Sequence, residues 1–231
     1  HARQQRNRDG LALGQKQAAA DTAKSKIGYP DEIRALFAAM AQSQGFEVRG
    51  VRASSANFAQ WRQDLLDSIL LRNELVAVKV GTNWRFFNVG DPYLPAGMVS
   101  WDGEGQFALL MDGKDPQLGQ VTMSEPGQST TKRAAKLKLN ENGSLEGTVT
   151  VTYTGHGGAN WKNQLESLSD AKRQEEIKEM LKDLHGAAEA TAIEVKNVTD
   201  PMQPFIYSYA IKIEAYGQRT GKRIFFQPGF F

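Results

Sequence analysis

The spacing of apolar residues near the start of the chain predicts a helix with well-defined ends. The apolar side chains that follow Pro30 recur at helical spacing and form one stripe: Ile33, Leu36, Phe37 and Met40. Proline suits the first turn of a helix, and glycine suits the position just after the last turn. The pattern therefore predicts a helix that begins at Pro30 and ends before Gly45. The polar residues 11–27 are rich in helix formers and predict a second helix.

Alternating and β-branched segments predict that most of the remaining chain forms strands. "FEVRGVRA" and "GQFALLM" each indicate one strand, and "LVAVKV" and "WRFFNV" flank a "GTN" turn as a hairpin. Later in the chain, Asn142-Gly143 stands between two alternating segments and gives the strongest hairpin signal. Three more strands, "ATAIEVKNV", "FIYSYAIKIEAYG" and "KRIFFQP", are predicted after a helical segment that breaks at Ser169-Asp170.

These elements predict an α+β chain of two domains. Residues 1–111 combine helices and strands, and residues 112–130 read as a turn-rich linker. Residues 131–231 predict an antiparallel β-sandwich with a helical insertion at about residues 161–186. The sequence begins with His in a polar run and ends abruptly on "FFQPGFF", so we expect an internal fragment of a longer protein.

Composition removes several classes of function. The 231 residues include no cysteine, which excludes disulfides, thiol catalysis and thiolate metal sites. The three histidines, His1, His156 and His185, are too scattered for a zinc site, and we predict neither a metal nor a cofactor. A formal net charge of +2 gives no reason to expect nucleic-acid binding. No apolar run is long enough to predict a membrane span.

Other local patterns have simple structural interpretations. The "GHGG" of residues 155–158 follows a strand, where a phosphate could bind, but it lacks the Lys-Ser/Thr of a P-loop and is interpreted as a connection out of the sheet. Asp31 and Glu32 complement the positive end of a helix. Aromatic residues cluster between Trp84 and Trp101, and those on strand positions predict core packing. Tyr93 and Trp101 instead lie in a Gly/Pro loop, where they could line a groove for a sugar or a peptide.

Three segments of the first domain resemble the catalytic motifs of the transglutaminase-like, papain-type superfamily. "GYPDEIRALFAAMAQSQGF" is similar in length and texture to the helix that carries the nucleophilic cysteine, and Pro30 occupies the cysteine position. "NELVAVKV" resembles the strand that opens with Asn-His-Val, with Glu74 at the histidine. "WRFFNVGDPYLPAGMVSW" resembles the strand that supplies the aspartate, with Asn88 in its place. Its "YLPAGMVSW" is similar to a "YLPFGLLPW" segment that bacterial members carry.

The resemblance covers about residues 20–110, and more loosely residues 130–231. It implies a degenerate transglutaminase-like domain followed by a β-rich domain, in an exported bacterial protein of the periplasm or cell surface. With all three catalytic positions replaced, it implies a non-catalytic module that binds or scaffolds a peptide, glycan or protein partner. Five residues are expected to line its cleft: Tyr29, Glu32, Asp91, Tyr93 and Trp101. If Asp91 is the aligned aspartate, one triad member survives without its partners.

Two alternatives stay open at this point. In one, the cleft belongs to a hydrolase or another glycan- or peptide-processing enzyme that uses Glu74 as its acid/base, helped by Asp91 or Asp31. That reading requires Glu74 to point into a partly buried pocket rather than to pair with a surface Lys or Arg. In the other, the chain is a spacer between domains, which the absence of a sizeable pocket in the first domain would favour.

Overall fold

The computed structural model describes residues 19–58, 68–111, 115–185 and 188–227. They divide into two compact units, with the division between Glu125 and Pro126. Both units combine α-helices with antiparallel strands, and one sheet curls into a half-barrel. Among the residues within those ranges, no helix is long and apolar enough to cross a membrane.

Within the described residues, the first unit begins with two helices: α1 (Ala19–Ser25) and α2 (Pro30–Ser43). Of the helix expected over residues 11–27, residues 19–27 are described, and the helix ends at Ser25, two residues earlier than expected. The backbone N–H of Tyr29 donates a hydrogen bond to Oε2 of Glu32 at 2.7 Å, which satisfies one free donor at the start of α2. Gly45 follows the helix with a φ of +83°, a conformation that favours glycine. The helix predicted from Pro30 to the residues before Gly45 is therefore confirmed.

The sheet of the first unit has five strands in the order β3-β2-β1-β4-β5, and all neighbours are antiparallel. The strands are β1 (Val48–Ala53), β2 (Asn73–Val80), β3 (Asn83–Phe87), β4 (Phe107–Met111) and β5 (Gln117–Gln120). Helix α2 packs on one face, where the rings of Phe37 and Phe87 lie 5.2 Å apart. The opposite face carries a buried cluster that includes Val51, Leu75 and Phe86.

Strand β5 lies inside the stretch predicted as a linker over residues 112–130. The short, Gly-containing sequence of β5 resembles a turn. The strand nevertheless pairs along its whole length with residues Phe107 to Leu110 of β4. Val121, directly after it, is 1% exposed and belongs to the core of this unit. Pairing with a neighbouring strand, which local patterns do not reveal, therefore extends the first unit to Glu125.

The second unit is built on a four-stranded antiparallel sheet in the order β6-β7-β9-β8. Its elements along the chain are β6 (Thr131–Leu139), β7 (Leu145–Tyr153), α3 (Gly155–Leu165), α4 (Asp170–His185), β8 (Ala188–Lys196), β9 (Phe205–Ile213), β10 (Gln218–Thr220) and β11 (Arg223–Phe225). Strands β10 and β11 form a separate two-stranded ribbon. The Asn142-Gly143 hairpin between β6 and β7 is confirmed.

Helices cover the four-stranded sheet where a second sheet was expected. The core of this unit joins Leu165, Ile177 and Leu181 of the helices to the aromatic side chains of β9. The predicted sandwich is therefore replaced by a sheet with helices on one face, because the apolar stripes of the helical segment pack on the apolar face of the strands.

The helical insertion also begins earlier than expected, at Gly155 rather than near residue 161. The "GHGG" segment forms the first turn of α3 and is not a loop. Gly158 permits this close packing, since a Cβ there would lie 2.9 Å from the carbonyl oxygen of Tyr153. The predicted break is confirmed: the carbonyl of Ser169 accepts a hydrogen bond from the N–H of Arg173 as α4 begins at Asp170.

Candidate functional site

A shallow, open groove lies in the first unit, where the N-terminal end of α2 meets one end of the sheet. It measures about 360 Å³ and is lined by Pro30, Arg34, Arg72, Asn73, Glu74, Leu75, Asn88, Gly90 and Asp91. Pro30 is the first residue of α2, Glu74 is the second residue of β2, and Asn88 directly follows β3. Because β2 and β3 are antiparallel, the start of one and the end of the other lie side by side. Pro30, Glu74 and Asn88 therefore all line this groove.

The carboxylate of Glu74 is held between two guanidinium groups. Nη2 of Arg34 bonds Oε2 of Glu74, and Nη2 of Arg52 lies 2.6 Å from Oε1. Arg52 stands directly opposite Glu74 in the pairing of β1 with β2, and Arg34 reaches it from α2. Both carboxylate oxygens are thus engaged, and the network ties the helix to the sheet beneath the groove.

Further polar side chains complete the groove wall. The guanidinium of Arg72 lies 3.6 Å from the ring centroid of Phe58, a distance that permits cation–π attraction. Asn73 donates a hydrogen bond from Nδ2 to the carbonyl of Ser54 at 3.0 Å. Asn88 and Asp91, which follow β3, also line the groove. The groove therefore offers guanidinium, carboxamide and carboxylate groups.

Behind the groove, Asp102 fixes the position of Asn73. Its Oδ2 accepts hydrogen bonds from Oγ of Ser55 at 2.5 Å and from Nδ2 of Asn73 at 3.5 Å. Burial opposes the charge of Asp102, but hydrogen bonds from Ser55, Ser100 and Asn73 outweigh it and hold the pKa of this carboxyl below its ordinary value. A charged Asp102 thus anchors the start of β2 at neutral pH.

The composition of the groove limits its chemistry. No thiol, hydroxyl or imidazole side chain is found among the described residues that line it. Thiol- and serine-type covalent catalysis needs such a nucleophile, with a base within hydrogen-bond reach. Nor does any group of three His, Asp or Glu side chains within the described ranges come close enough to hold a metal ion. The arrangement is suited to hydrogen bonding and ion pairing with a ligand.

Of the five residues expected to line a cleft, Asp91 lines this groove and the other four do not. Glu32 is 3% exposed, because its carboxylate turns back to accept the N–H of Tyr29. Tyr93 is buried, and its N–H donates to Oδ1 of Asp91 at 2.9 Å, which makes it part of the turn that presents Asp91. Trp101 is 61% exposed on the following loop.

Sequence reasoning missed the basic residues of the groove. Arg34 follows Pro30 by four positions, which places both on the same face of a helix, and this spacing could have identified it. Arg72 and Asn73 precede Glu74 directly, but their contacts with Phe58 and Ser54 depend on how distant segments meet.

Comparison with known proteins identifies no relative of this chain. No family model, no curated protein and no solved structure matches this chain. Its function is therefore inferred from the groove and from the motifs of its own sequence.

Proposed function

We propose that the first unit is a non-catalytic module of the transglutaminase-like kind, and that its groove binds a peptide or a glycan without cleaving it. We further propose that the chain belongs to an exported bacterial protein of the periplasm or cell surface, where the module binds or scaffolds its partner. One observation carries the proposal: Pro30, Glu74 and Asn88, which align with the cysteine, histidine and aspartate of the resembled motifs, line one groove.

The residues at these positions suit binding better than catalysis. Proline has no nucleophilic atom and no backbone N–H, so Pro30 can neither attack a carbonyl nor help to stabilise an oxyanion. The carboxamide of Asn88 both donates and accepts hydrogen bonds, as peptide bonds and sugar hydroxyls do. Together with Arg72 and Asp91 it makes a polar surface that fits an uncharged or zwitterionic polar ligand.

The contacts of Glu74 argue against the enzymatic alternative. A general acid or base needs a carboxylate oxygen that can reach the proton of the substrate. Both oxygens of Glu74 are instead bonded by Arg34 and Arg52, so an acid–base role would first have to break an ion pair. The presence of a groove of about 360 Å³ likewise favours a binding module over a simple spacer.

The direct test combines binding with a search for turnover. The ¹⁵N-labelled chain is titrated with a hexapeptide library and with a panel of oligosaccharides, and each recovered ligand is weighed by mass spectrometry. We expect chemical-shift changes at the backbone amides of Asn73, Gly90 and Asp91, weaker binding in Asn88→Ala, and ligands of unchanged mass. Asn160→Ala, an exposed position on α3, is the matched control. Peptide hydrolysis or transamidation that Asn88→Ala or Glu74→Gln abolishes would contradict the proposal.

A second experiment tests the alignment itself. Because the chain has no cysteine, Pro30→Cys introduces a single thiol. In the double variant Pro30→Cys/Glu74→His, a nearby imidazolium should lower the pH midpoint of alkylation by iodoacetamide by about one unit or more. Pro30→Cys/Glu74→Gln is the control, since it loses the same ion pairs without adding an imidazole. Equal midpoints would show that positions 30 and 74 do not cooperate as the alignment requires.

A further inference from the structure

Strand β6 lies at one edge of its sheet. It is the first strand of the four-stranded sheet and, in the part of the chain that the structure describes, it pairs with β7 alone. Its nine residues pair with β7 without a shift of register. Such an edge presents a row of backbone N–H and C=O groups to which another strand can bind.

The hydrogen bonds at both ends of β6 show which residues face that edge. The N–H of Thr154 donates to the carbonyl of Thr130 at 3.0 Å, and the N–H of Asn140 donates to the carbonyl of Ser144 at 2.8 Å. Bonded and non-bonded pairs alternate along an antiparallel ladder, so the even-numbered residues of β6 bond β7. The odd-numbered residues therefore direct their backbone groups outward: Thr131, Arg133, Ala135, Leu137 and Leu139.

The two faces of β6 differ in character. On the face away from the helices, Lys132 and Lys136 stand opposite threonines of β7, and Lys138 stands opposite Glu146. These three lysines are exposed, and the ion pairs found in the described part of this unit involve other side chains. On the helix side the strand presents Arg133 and Ala135, both exposed, and then two half-buried leucines. The edge thus combines a basic face with a largely apolar one.

We propose that the free edge of β6 binds an extended segment of another protein in which acidic residues alternate with apolar ones. The segment would add a fifth strand by hydrogen bonding to the outward backbone groups. Its acidic side chains would lie beside Lys132 and Lys136, because directly opposite residues share a face of the sheet. Its apolar side chains would pack beside Ala135 and Leu137 on the helix side.

A second copy of the chain fits this edge less well. Lysines on an edge repel the same strand of another copy. The other edge, β8, does carry Glu189 and Glu194, but its register with β9 shifts between Thr191 and Glu194. Ala192 in that bulge has a φ of +49°, so β8 cannot offer nine residues in a continuous ladder. The charge and regularity of β6 therefore favour binding of an acidic strand from a different protein over pairing with a second copy of the chain.

The experiment uses the full chain and a fluorescein-labelled nine-residue peptide that alternates glutamate and valine. Binding is followed by fluorescence anisotropy at about 50 mM salt, where exposed charges are weakly screened. A peptide of the same composition with all glutamates at one end is the control for net charge. We expect the alternating peptide to bind at least about tenfold more tightly than the control, a difference of about 1.4 kcal/mol.

Two variants separate backbone pairing from simple attraction. Ala135→Pro removes one outward N–H, and an edge strand tolerates proline when its N–H faces away from the sheet. We expect it to weaken peptide binding about tenfold or more while the chain stays folded, with Ala135→Ser, which keeps the N–H, as the matched control. Lys132→Glu/Lys136→Glu should weaken binding to a similar extent.

Three results would overturn the proposal. Equal binding of both peptides would indicate attraction by charge alone. Full binding by a folded Ala135→Pro variant would exclude strand addition. Concentration-dependent self-association without peptide, abolished by Lys136→Glu in sedimentation velocity, would make β6 an interface between copies of the chain.

Discussion

The ion-pair network at the groove allows a quantitative test of how α2 is fastened to the sheet. The side chain of Arg34 is 17% exposed, whereas those of Glu74 and Arg52 are 36% and 45% exposed. Hydrogen bonds to charged groups contribute about 1.5–3 kcal/mol when sheltered, and exposed ion pairs about 0.2–1 kcal/mol. We therefore expect a coupling free energy of about 1.5 kcal/mol between Arg34 and Glu74, and about 0.5 kcal/mol between Arg52 and Glu74.

Double-mutant cycles measure these two couplings separately. The variants are Arg34→Met, Arg52→Met, Glu74→Gln and the two double variants. Because two units with separate cores need not unfold together, the free energy of opening is taken from hydrogen exchange of the β2 amides. In about 1 M salt, where the screening length falls to about 3 Å, the coupling of Arg52 should largely vanish and that of Arg34 should persist.

A coupling of Arg34 no larger than that of Arg52 would contradict this expectation. Equal loss of both couplings in high salt would contradict it too, because the difference in burial between Arg34 and Arg52 would then have no energetic effect. The Lys172–Glu175 pair on α4, with side chains 65% and 55% exposed, is the internal control, and its coupling is taken from hydrogen exchange of the α4 amides. Its coupling should be smaller than either of the two at the groove.

Three further predictions concern the second unit. Gly143→Ala should destabilise it by more than about 1–2 kcal/mol in urea denaturation, since φ is +86° and a Cβ would lie 2.2 Å from the carbonyl oxygen of Gly217; an unchanged midpoint would contradict this. Burial lowers the pKa of Lys162 despite the opposing effect of nearby Asp200, so the contribution of Lys162 to the free energy of unfolding should rise as the pH approaches 10.5. This rise should be absent in Lys162→Met, and an identical pH profile of the two proteins would refute the prediction. Burial, together with neighbouring Tyr153, raises the pKa of Tyr207, so the free energy of unfolding should fall as the pH rises above 10.0. The fall should be less steep in Tyr207→Phe, and equal slopes would contradict a raised pKa of Tyr207.

Local signals in the sequence determined most of the elements of this chain. Helix α2 follows from a first-turn proline, a stripe of apolar residues and Gly45, all within a few turns of each other. The hairpin between β6 and β7 follows from Asn142-Gly143, since this dipeptide favours a tight turn between alternating strands. Such signals act over a few residues, so one sequence is enough to reveal them.

Contacts between distant segments determined the rest. Strand β5 exists because its residues pair with β4, and its own sequence resembles a turn. The helices cover the second sheet because their apolar stripes match its apolar face, a choice that the strand pattern leaves open between helices and another sheet. Lys162 is only 3% exposed although its side chain is charged. Its Nζ donates a hydrogen bond to the carbonyl oxygen of Asp200 at 2.6 Å, and the sequence of the helix alone does not indicate this contact.

The candidate site shows the same division. The sequence alone determined the residue types of Pro30, Glu74 and Asn88, and it determined that none of them carries a thiol, a hydroxyl or an imidazole. Only the tertiary structure decided that Pro30, Glu74 and Asn88 meet at one groove, and that Glu74 is held by Arg34 and Arg52. The physical reason is that residue type is a local property, whereas the distance between a helix end and two strand ends depends on the register and packing of the whole unit.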